Sequence, residues 1–392
     1  MKKTSLILSI IFLSISSACS QKENYPPIQD FDENSFELVK IVDGIDIPWG
    51  LAFTDNTSFL VTDKKGILYH VVDGKKKIIQ GVPNVVFSRQ GGLLDVAVDK
   101  NFSSNQIIYL TASVSDSEKG SNTSLFSAKL DGDSLVDLKQ LYKASPDSEE
   151  QRHFGGSILL KNQHIYFTIG DRGNRDINPQ DLNLDGGKIY RLNLDGSIPV
   201  DNPFFDLENT KKAVWSYGHR NPQGIVDGFN NDEIWIHEHG PRGGDEINII
   251  KLNQKEIPNY GWAISSYGEH YGGANASYNQ KTYERYPLYK SHSDYGFIEP
   301  IKYFVPSIGI SEIISLNNDE KEFLFGKRAY RIMGVGAALI VLGFVLMTGG
   351  GSDDPNVFNP EIFSPLRIRV APTLVLAGFA VLVVAILSTK KK

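Results

Sequence analysis

Between Phe36 and Leu316 the apolar residues fall in short runs separated by turn residues. Examples are Phe59-Leu60-Val61-Thr62, Gly66-Ile67-Leu68-Tyr69, Ile107-Ile108-Tyr109-Leu110, His164-Ile165-Tyr166-Phe167-Thr168 and Ile234-Trp235-Ile236. β-Branched and aromatic residues dominate these runs. Asp73-Gly74, Asp131-Gly132 and Asp195-Gly196 lie between them, dipeptides that favour tight hairpins. No stretch in this span sustains a 3.6-residue apolar period, so the pattern predicts an all-β domain. Three glycine-bearing openings, at Trp49 to Phe53, Gly92 to Val98 and Gly155 to Leu159, recur ahead of strands that end in Ile/Leu-Tyr. That spacing fits the four-stranded blades of a propeller, about 40 to 50 residues each, with a β-sandwich as the competing architecture.

From Lys327 the pattern changes. Ile332 to Met347 and Ala371 to Leu387 are uncharged apolar runs separated by a polar stretch, Gly349 to Arg369. Each approaches the roughly 20 residues that cross hydrocarbon, which predicts a two-helix transmembrane hairpin. Lys327, Arg328 and Arg331 before the first run and Lys390-Lys391-Lys392 after the second place both ends in the cytoplasm. The front of the chain reads differently. Met1-Lys2-Lys3, the apolar Leu6 to Ile15 and Ser16-Ser17-Ala18-Cys19 resemble a bacterial lipoprotein signal, in which Cys19 becomes the lipidated first residue. The expected division is therefore signal 1–19, tether 20–35, incomplete propeller 36–318 and two-span membrane segment 319–392. The domain is expected to be exported and membrane-anchored, on the periplasmic side or at the cell surface. Export of the front conflicts with cytoplasmic ends at the back, as would follow from the accidental joining of two genes.

Composition narrows the partners. The 392 residues are 41% hydrophobic, enough for a sizeable core, and the formal charge of −6 is spread without a basic block. Nucleic acid is excluded as a partner. Cys19 is the single cysteine, so neither an intrachain disulfide nor a thiolate metal cluster can form.

The densest chemistry lies in Trp215 to Asn248. Pro222 between Gly218 and Gly224 makes a rigid corner that carries Arg220. After a strand read from Glu233 to His237, Gly240-Pro241-Arg242-Gly243-Gly244-Asp245-Glu246 makes a second corner whose carbonyls could face a hard cation or a ligand. Upstream, His153 precedes one strand and Asp171 ends the next, so the two can meet at one rim of a sheet as a general base and its orienting carboxylate. Each also has a plainer reading: a structural histidine, a turn-capping aspartate, a solvated arginine, and an anchoring turn at Asp245 and Glu246.

Gly92-Leu93-Leu94-Asp95, His153-Phe154-Gly155-Gly156, Gly170 to Arg175, Gly187 to Asn193, Gly218 to Gly224, His239 to Asn248 and Asn259-Tyr260-Gly261-Trp262 follow one another in an order that resembles the soluble quinoprotein glucose and sorbosone dehydrogenases. These aldose sugar dehydrogenases are six-bladed β-propellers that carry pyrroloquinoline quinone (PQQ) and calcium. The resemblance implies that His153 takes the proton of the sugar C1 hydroxyl while hydride passes to the quinone, that Asp171 orients His153, and that Arg220 holds the quinone C5 oxygen. It places Gln90, Arg220 and Asn221 against PQQ and the carbonyls of Gly240 and Pro241 on the Ca2+. An aldose and an external electron acceptor would be the partners, and a lactone the product. Two departures stand out. Arg152 occupies a place where some members have an acid, and the pattern stops after Pro306 to Ser311, before the last blades and their quinone-binding cations. The segment from Phe325 to Ser364 resembles a family of small uncharacterised two-span membrane proteins. Alternatives are a non-catalytic propeller displayed at the membrane as a binding module, an inactive fusion, and a calcium-dependent lactonase; the backbone-rich corners disfavour the last.

Overall fold

The computed structural model describes residues 39–253, 258–315, 327–348 and 359–387, so the signal, Cys19 and most of the tether lie outside the described residues. The chain divides into two compact units, Met1–Ile45 and Asp46–Lys392. Residues 39–45 of the first form neither helix nor strand. Among the described residues, the second holds all the regular structure.

Among the described residues, sixteen strands form four antiparallel four-stranded sheets in chain order. The first comprises β1 (Pro48–Phe53), β2 (Ser58–Asp63), β3 (Ile67–Val72) and β4 (Lys75–Ile79); the second β5 (Leu93–Val98), β6 (Ile107–Val114), β7 (Asn122–Asp131) and β8 (Ser134–Lys143). The third comprises β9 (Ile158–Lys161), β10 (His164–Ile169), β11 (Lys188–Asn193) and β12 (Val214–Tyr217); the fourth β13 (Pro222–Asp227), β14 (Glu233–Glu238), β15 (Asp245–Lys251) and β16 (Lys302–Phe304). The glycine-bearing openings are the starts of β1, β5 and β9, and their sheets are propeller blades whose first strands neighbour one another in sequence. Asp73-Gly74 and Asp131-Gly132 turn hairpins as expected; Asp195-Gly196 turns the chain after β11, but the next strand waits until Val214.

Strand alternation builds the core. On β6, Leu110 faces a cluster with Leu60, Leu68 and Val96, while Tyr109 faces the next cluster with Ile165, Phe167 and Tyr190. On β10, Tyr166 points the other way, toward Trp215, Ile234, Ile236 and Ile250. Each blade thus contributes both faces to burial, and each large apolar side chain so buried contributes roughly 1.5–3 kcal/mol.

A polar seam runs across the inner strands. Thr62, Thr111 and Thr168 occupy equivalent positions on the second strand of their blades and are fully buried. Each hydroxyl accepts from its own blade's inner strand, at Gly50 N (2.8 Å), Asp95 N (3.0 Å) and Gly156 N (2.9 Å) respectively. Each donates to an inner carbonyl of the next blade, at Leu94, Gly156 and Pro222. Replacing Thr168 with Val, which keeps shape but leaves these groups unpaired, should lower unfolding stability by about 1–3 kcal/mol in chemical denaturation.

The fourth blade breaks the seam. His237 stands opposite Gly224 at the threonine position, buried, with neither ring nitrogen partnered among the described residues. Burial pushes its pKa down to about 4. Beyond β16 the chain passes the place of a fifth inner strand: Ile308 N and Gly309 N donate to Asp245 Oδ2 (3.1 and 2.9 Å), and a Cβ added at Gly224 would meet the Ile313 side chain. No described strand pairs with this segment. The expected architecture is a six-bladed type cut short before its last blades; among the described residues four blades form, not six. Among the exposed apolar side chains, Leu51 and Phe53 on β1 and Val305, Ile308 and Ile314 beyond β16 lie at the two ends of the blade series.

Helices were missed inside the β region: α1 (Phe102–Asn105) is one turn, and α2 (Ser277–Arg285) lies in a long excursion between β15 and β16. The C-terminal expectation also needs correction. α3 (Lys327–Met347) and α4 (Ala371–Leu387) form, but among the described residues only one stretch, Leu366–Val383, is long and apolar enough to cross a membrane; the apolar part of α3, Ile332–Met347, is shorter. Charges at the start of α3 and a polar linker explain the shortfall. The helices meet through glycine: a Cβ at Gly336 would lie 2.9 Å from Gly378 O, and one at Gly343 2.5 Å from Val375.

Candidate active site

Four chain segments meet at one rim of the blades. The turn before β9 carries His153 with φ +57°, a left-handed conformation uncommon for a non-glycine residue. The corner after β10 carries Asp171; close approach requires Gly170 there, since a Cβ would fall 2.3 Å from His153 O. The corner between β12 and β13 carries Arg220 and Asn221, and the corner between β14 and β15 carries His239, Gly240 and Pro241.

His153 Nδ1 lies 2.7 Å from Asp171 Oδ1. Asp171 is fully buried, and its carboxylate also accepts from Gly173 N (2.8 Å) and, on Oδ2, from Trp262 Nε1 (2.7 Å). Burial alone would raise the Asp171 pKa, but the bonds from His153 and Trp262 and the charge of Arg220 hold it below the ordinary carboxylate value. Burial lowers the His153 pKa below that of a free imidazole, against the upward pull of Asp171. The pair is thus a carboxylate beside a neutral imidazole. The carboxylate fixes the proton on Nδ1 and leaves the Nε2 lone pair available as a base.

Gln90 Oε1 accepts from His153 N (2.7 Å), fixing the strained turn. Asp171 N donates to Arg220 O (2.7 Å), which ties the histidine rim to the next corner. Arg220 is 7% exposed; its N–H donates to Glu238 Oε2 (2.6 Å) and its guanidinium to His239 O (3.0 Å), 5.5 Å over the Trp262 ring. Burial lowers the Arg220 pKa, while Asp171, Tyr271 and Glu238 favour its charge. Asn221 Oδ1 accepts from Gly155 N (3.1 Å). Gly240 N donates to Asp245 Oδ1 (3.0 Å), so Asp245 anchors the corner. A cavity of about 10 Å³, room for one water, lies between Arg220, His239, Gly240, Pro241 and Trp262.

Every candidate residue from the sequence therefore reaches this rim: His153, Asp171, Arg220, Gln90, Asn221, Gly240 and Pro241. Sequence reasoning left out Trp262 and Glu238, which set the carboxylate and the Arg220 backbone. Trp262 closes the Asn259-Tyr260-Gly261-Trp262 motif, but nothing local signals an indole reaching across 91 residues to Asp171. Arg152 is solvent-exposed and pairs with Glu150 (3.2 Å). Arg172, in the same motif as Asp171, is buried against Phe154, 3.5 Å from the ring, and is structural.

For a cation, no group of three or more His, Cys, Asp or Glu side chains with metal-binding geometry occurs among the described residues. A hard cation would rest on main-chain oxygens, and the tightly wound Gly240-Pro241 corner offers them. For a quinone, the donor set fits in kind at one end: a buried guanidinium and an imidazole base lie on adjoining corners of the rim, tied by the bond from Asp171 N to Arg220 O.

Inner-strand blades carrying a carboxylate-oriented base and a buried guanidinium at one rim define a propeller protein with an acid–base site. Comparison with known proteins places it further. The chain belongs to the Glucose / Sorbosone dehydrogenase family, whose family model matches residues 45–327. A second model, Protein of unknown function (DUF3098), matches residues 324–390, so the two segments meet near the start of α3. The chain is 33% identical over 284 residues to aldose sugar dehydrogenase YliI of Escherichia coli (strain K12), covering 71% of this chain and 72% of that one. The crystal structure of the soluble aldose sugar dehydrogenase from Escherichia coli in the apo form superposes with a TM-score of 0.63 at 32% identity, over 71% of this chain and 78% of that one. The PQQ-bound form of aldose sugar dehydrogenase from Streptomyces coelicolor superposes with a TM-score of 0.52 at 26% identity, over 68% and 70%.

Proposed function

We propose that the protein is a PQQ-dependent sugar dehydrogenase that oxidises the C1 hydroxyl of an aldose to the lactone and passes electrons to an external acceptor. The observation that carries this reading is the buried Asp171 carboxylate bonded to His153, with Arg220 close enough for its charge to act on both. The Streptomyces coelicolor relative with its PQQ supports the choice of cofactor. His153 Nε2 accepts the proton of the C1 hydroxyl, and Asp171 stabilises the imidazolium that results. Arg220, held by Glu238 and His239, stabilises negative charge that develops on an oxygen in front of it. Gln90 and Asn221 fix the backbone around this mouth, and the Gly240 and Pro241 carbonyls would hold Ca2+. When bound, the quinone supplies the two-electron acceptor and the cation supplies Lewis acidity. Residues 36–318 form the catalytic segment in this reading, and the apolar stretch Leu366–Val383, with Leu376, Phe379 and Val383 exposed, anchors it to a membrane.

The deciding experiment is reconstitution of the full chain in detergent with PQQ and Ca2+, followed by dye-linked oxidation of aldoses. Turnover on an aldose that is lost on chelation and restored by Ca2+ supports the reading. A folded protein that binds PQQ without turnover, or ignores PQQ, overturns it and leaves a non-catalytic propeller.

A further inference from the structure

The excursion after Trp262 holds one aromatic residue in an unusual way. Tyr271 is 59% exposed, yet the backbone beneath it is fastened from several sides. Its carbonyl accepts from Tyr278 Oη (2.8 Å) and Asn279 Nδ2 (3.0 Å), and Asn279, fully buried on α2, donates also to Gly273 O (2.7 Å). Arg175, from the corner that carries Asp171, donates to Asn279 Oδ1 and lies 5.7 Å over the Tyr278 ring. The neighbouring His270 is buried against Trp262, with ring centroids 5.4 Å apart. The Tyr271 hydroxyl reaches the site itself, 3.4 Å from the Pro241 carbonyl.

Ordering an exposed aromatic ring is unfavourable unless something covers it, because it fixes backbone freedom without burying apolar area. Here the fixing groups come from the catalytic corner and from α2, and the ring they present stands beside the carbonyl corner. We propose that Tyr271 is a binding residue of this site, its ring packing against the planar quinone, and that Asn279 and Arg175 are positioning residues that hold it there. This inference rests on the PQQ reading above and adds to it a wall contributed by the excursion.

Calorimetric titration of the full chain with PQQ in Ca2+, together with quenching of tryptophan fluorescence, tests it without turnover. Tyr271→Ala should weaken PQQ binding about tenfold, the magnitude of one aromatic contact, with an unchanged melting temperature of the ligand-free protein. Tyr271→Phe should bind like the wild type, since the ring face makes the contact. Asn279→Ala should weaken binding to a similar degree, and Tyr271→Ala added to it should cost little more. Wild-type binding with an unchanged Tyr271→Ala isotherm, or a Tyr271→Phe as weak as Tyr271→Ala, overturns this proposal alone. Absence of PQQ binding by the wild type overturns it together with the function on which it rests.

Discussion

Replacement of His153 by Asn should reduce kcat/KM for the aldose about 10²–10⁴-fold, some 3 to 5 kcal/mol of transition-state stabilisation, while PQQ affinity changes little. Asn is the informative substitution because it tolerates the φ of +57° that this turn imposes and can still donate to Asp171. What it lacks is a basic lone pair on the side of the site. Loss of rate with an intact fold and intact cofactor binding would therefore report the proton acceptor and not the turn. Steady-state kinetics beside a PQQ titration make the comparison; a variant within tenfold of wild-type kcat/KM would remove His153 from the chemistry and transfer the role to another group on the rim. His239 is the nearest candidate in kind, since its imidazole lies 27% exposed on the neighbouring corner, but its Nε2 is already bonded to Gln223 (2.7 Å).

The sequence carried the local half of this picture. Alternating apolar runs and Asp-Gly turns made the strands legible because strand faces and hairpins are set by neighbours in the chain. The rim residues were legible because glycine, proline and chemistry-bearing side chains cluster within single loops. What could not be read depends on long-range geometry. Thr62, Thr111 and Thr168 look like ordinary strand threonines until blades are placed side by side, and only then does His237 stand out as the residue that takes the threonine position in the fourth blade. Trp262 and Asn279 act on groups 91 and 104 residues away. The exact blade number was illegible for a related reason: whether a segment such as Ile308 to Ile313 joins a sheet depends on strands elsewhere in the chain. α2 was missed because its apolar face is weak, with only Asn279 buried, so tertiary contacts and not periodicity fix it.

Asp171→Asn should lower kcat/KM by about 10²–10⁴-fold and move the acid limb of its pH profile downward. In the wild type, burial already holds the His153 pKa below the ordinary value, so the base is neutral above that lowered pKa and the rate rises only through it. Asp171 opposes burial, pulling the pKa up; without its charge the pKa falls further, the limb follows, and a weaker base is left at neutral pH. An amide also cannot serve three donors. With its oxygen toward His153 and Gly173, its NH2 faces Trp262 Nε1–H; turned the other way, it faces Gly173 N–H and can force the His153 proton onto Nε2. Either orientation leaves a buried donor unpaired at a cost of about 1–3 kcal/mol. The acid stability profile gives an independent check with a definite sign. Because the folded Asp171 pKa is depressed, its contribution is present above the ordinary carboxylate value and is lost as pH falls through the lowered one. The variant, having no such group, should lose stability less steeply below about pH 4. A rate fall with an unmoved acid limb would mean that Asp171 supports the turn and leaves the His153 proton unaffected. An unmoved rate would separate the pair from catalysis.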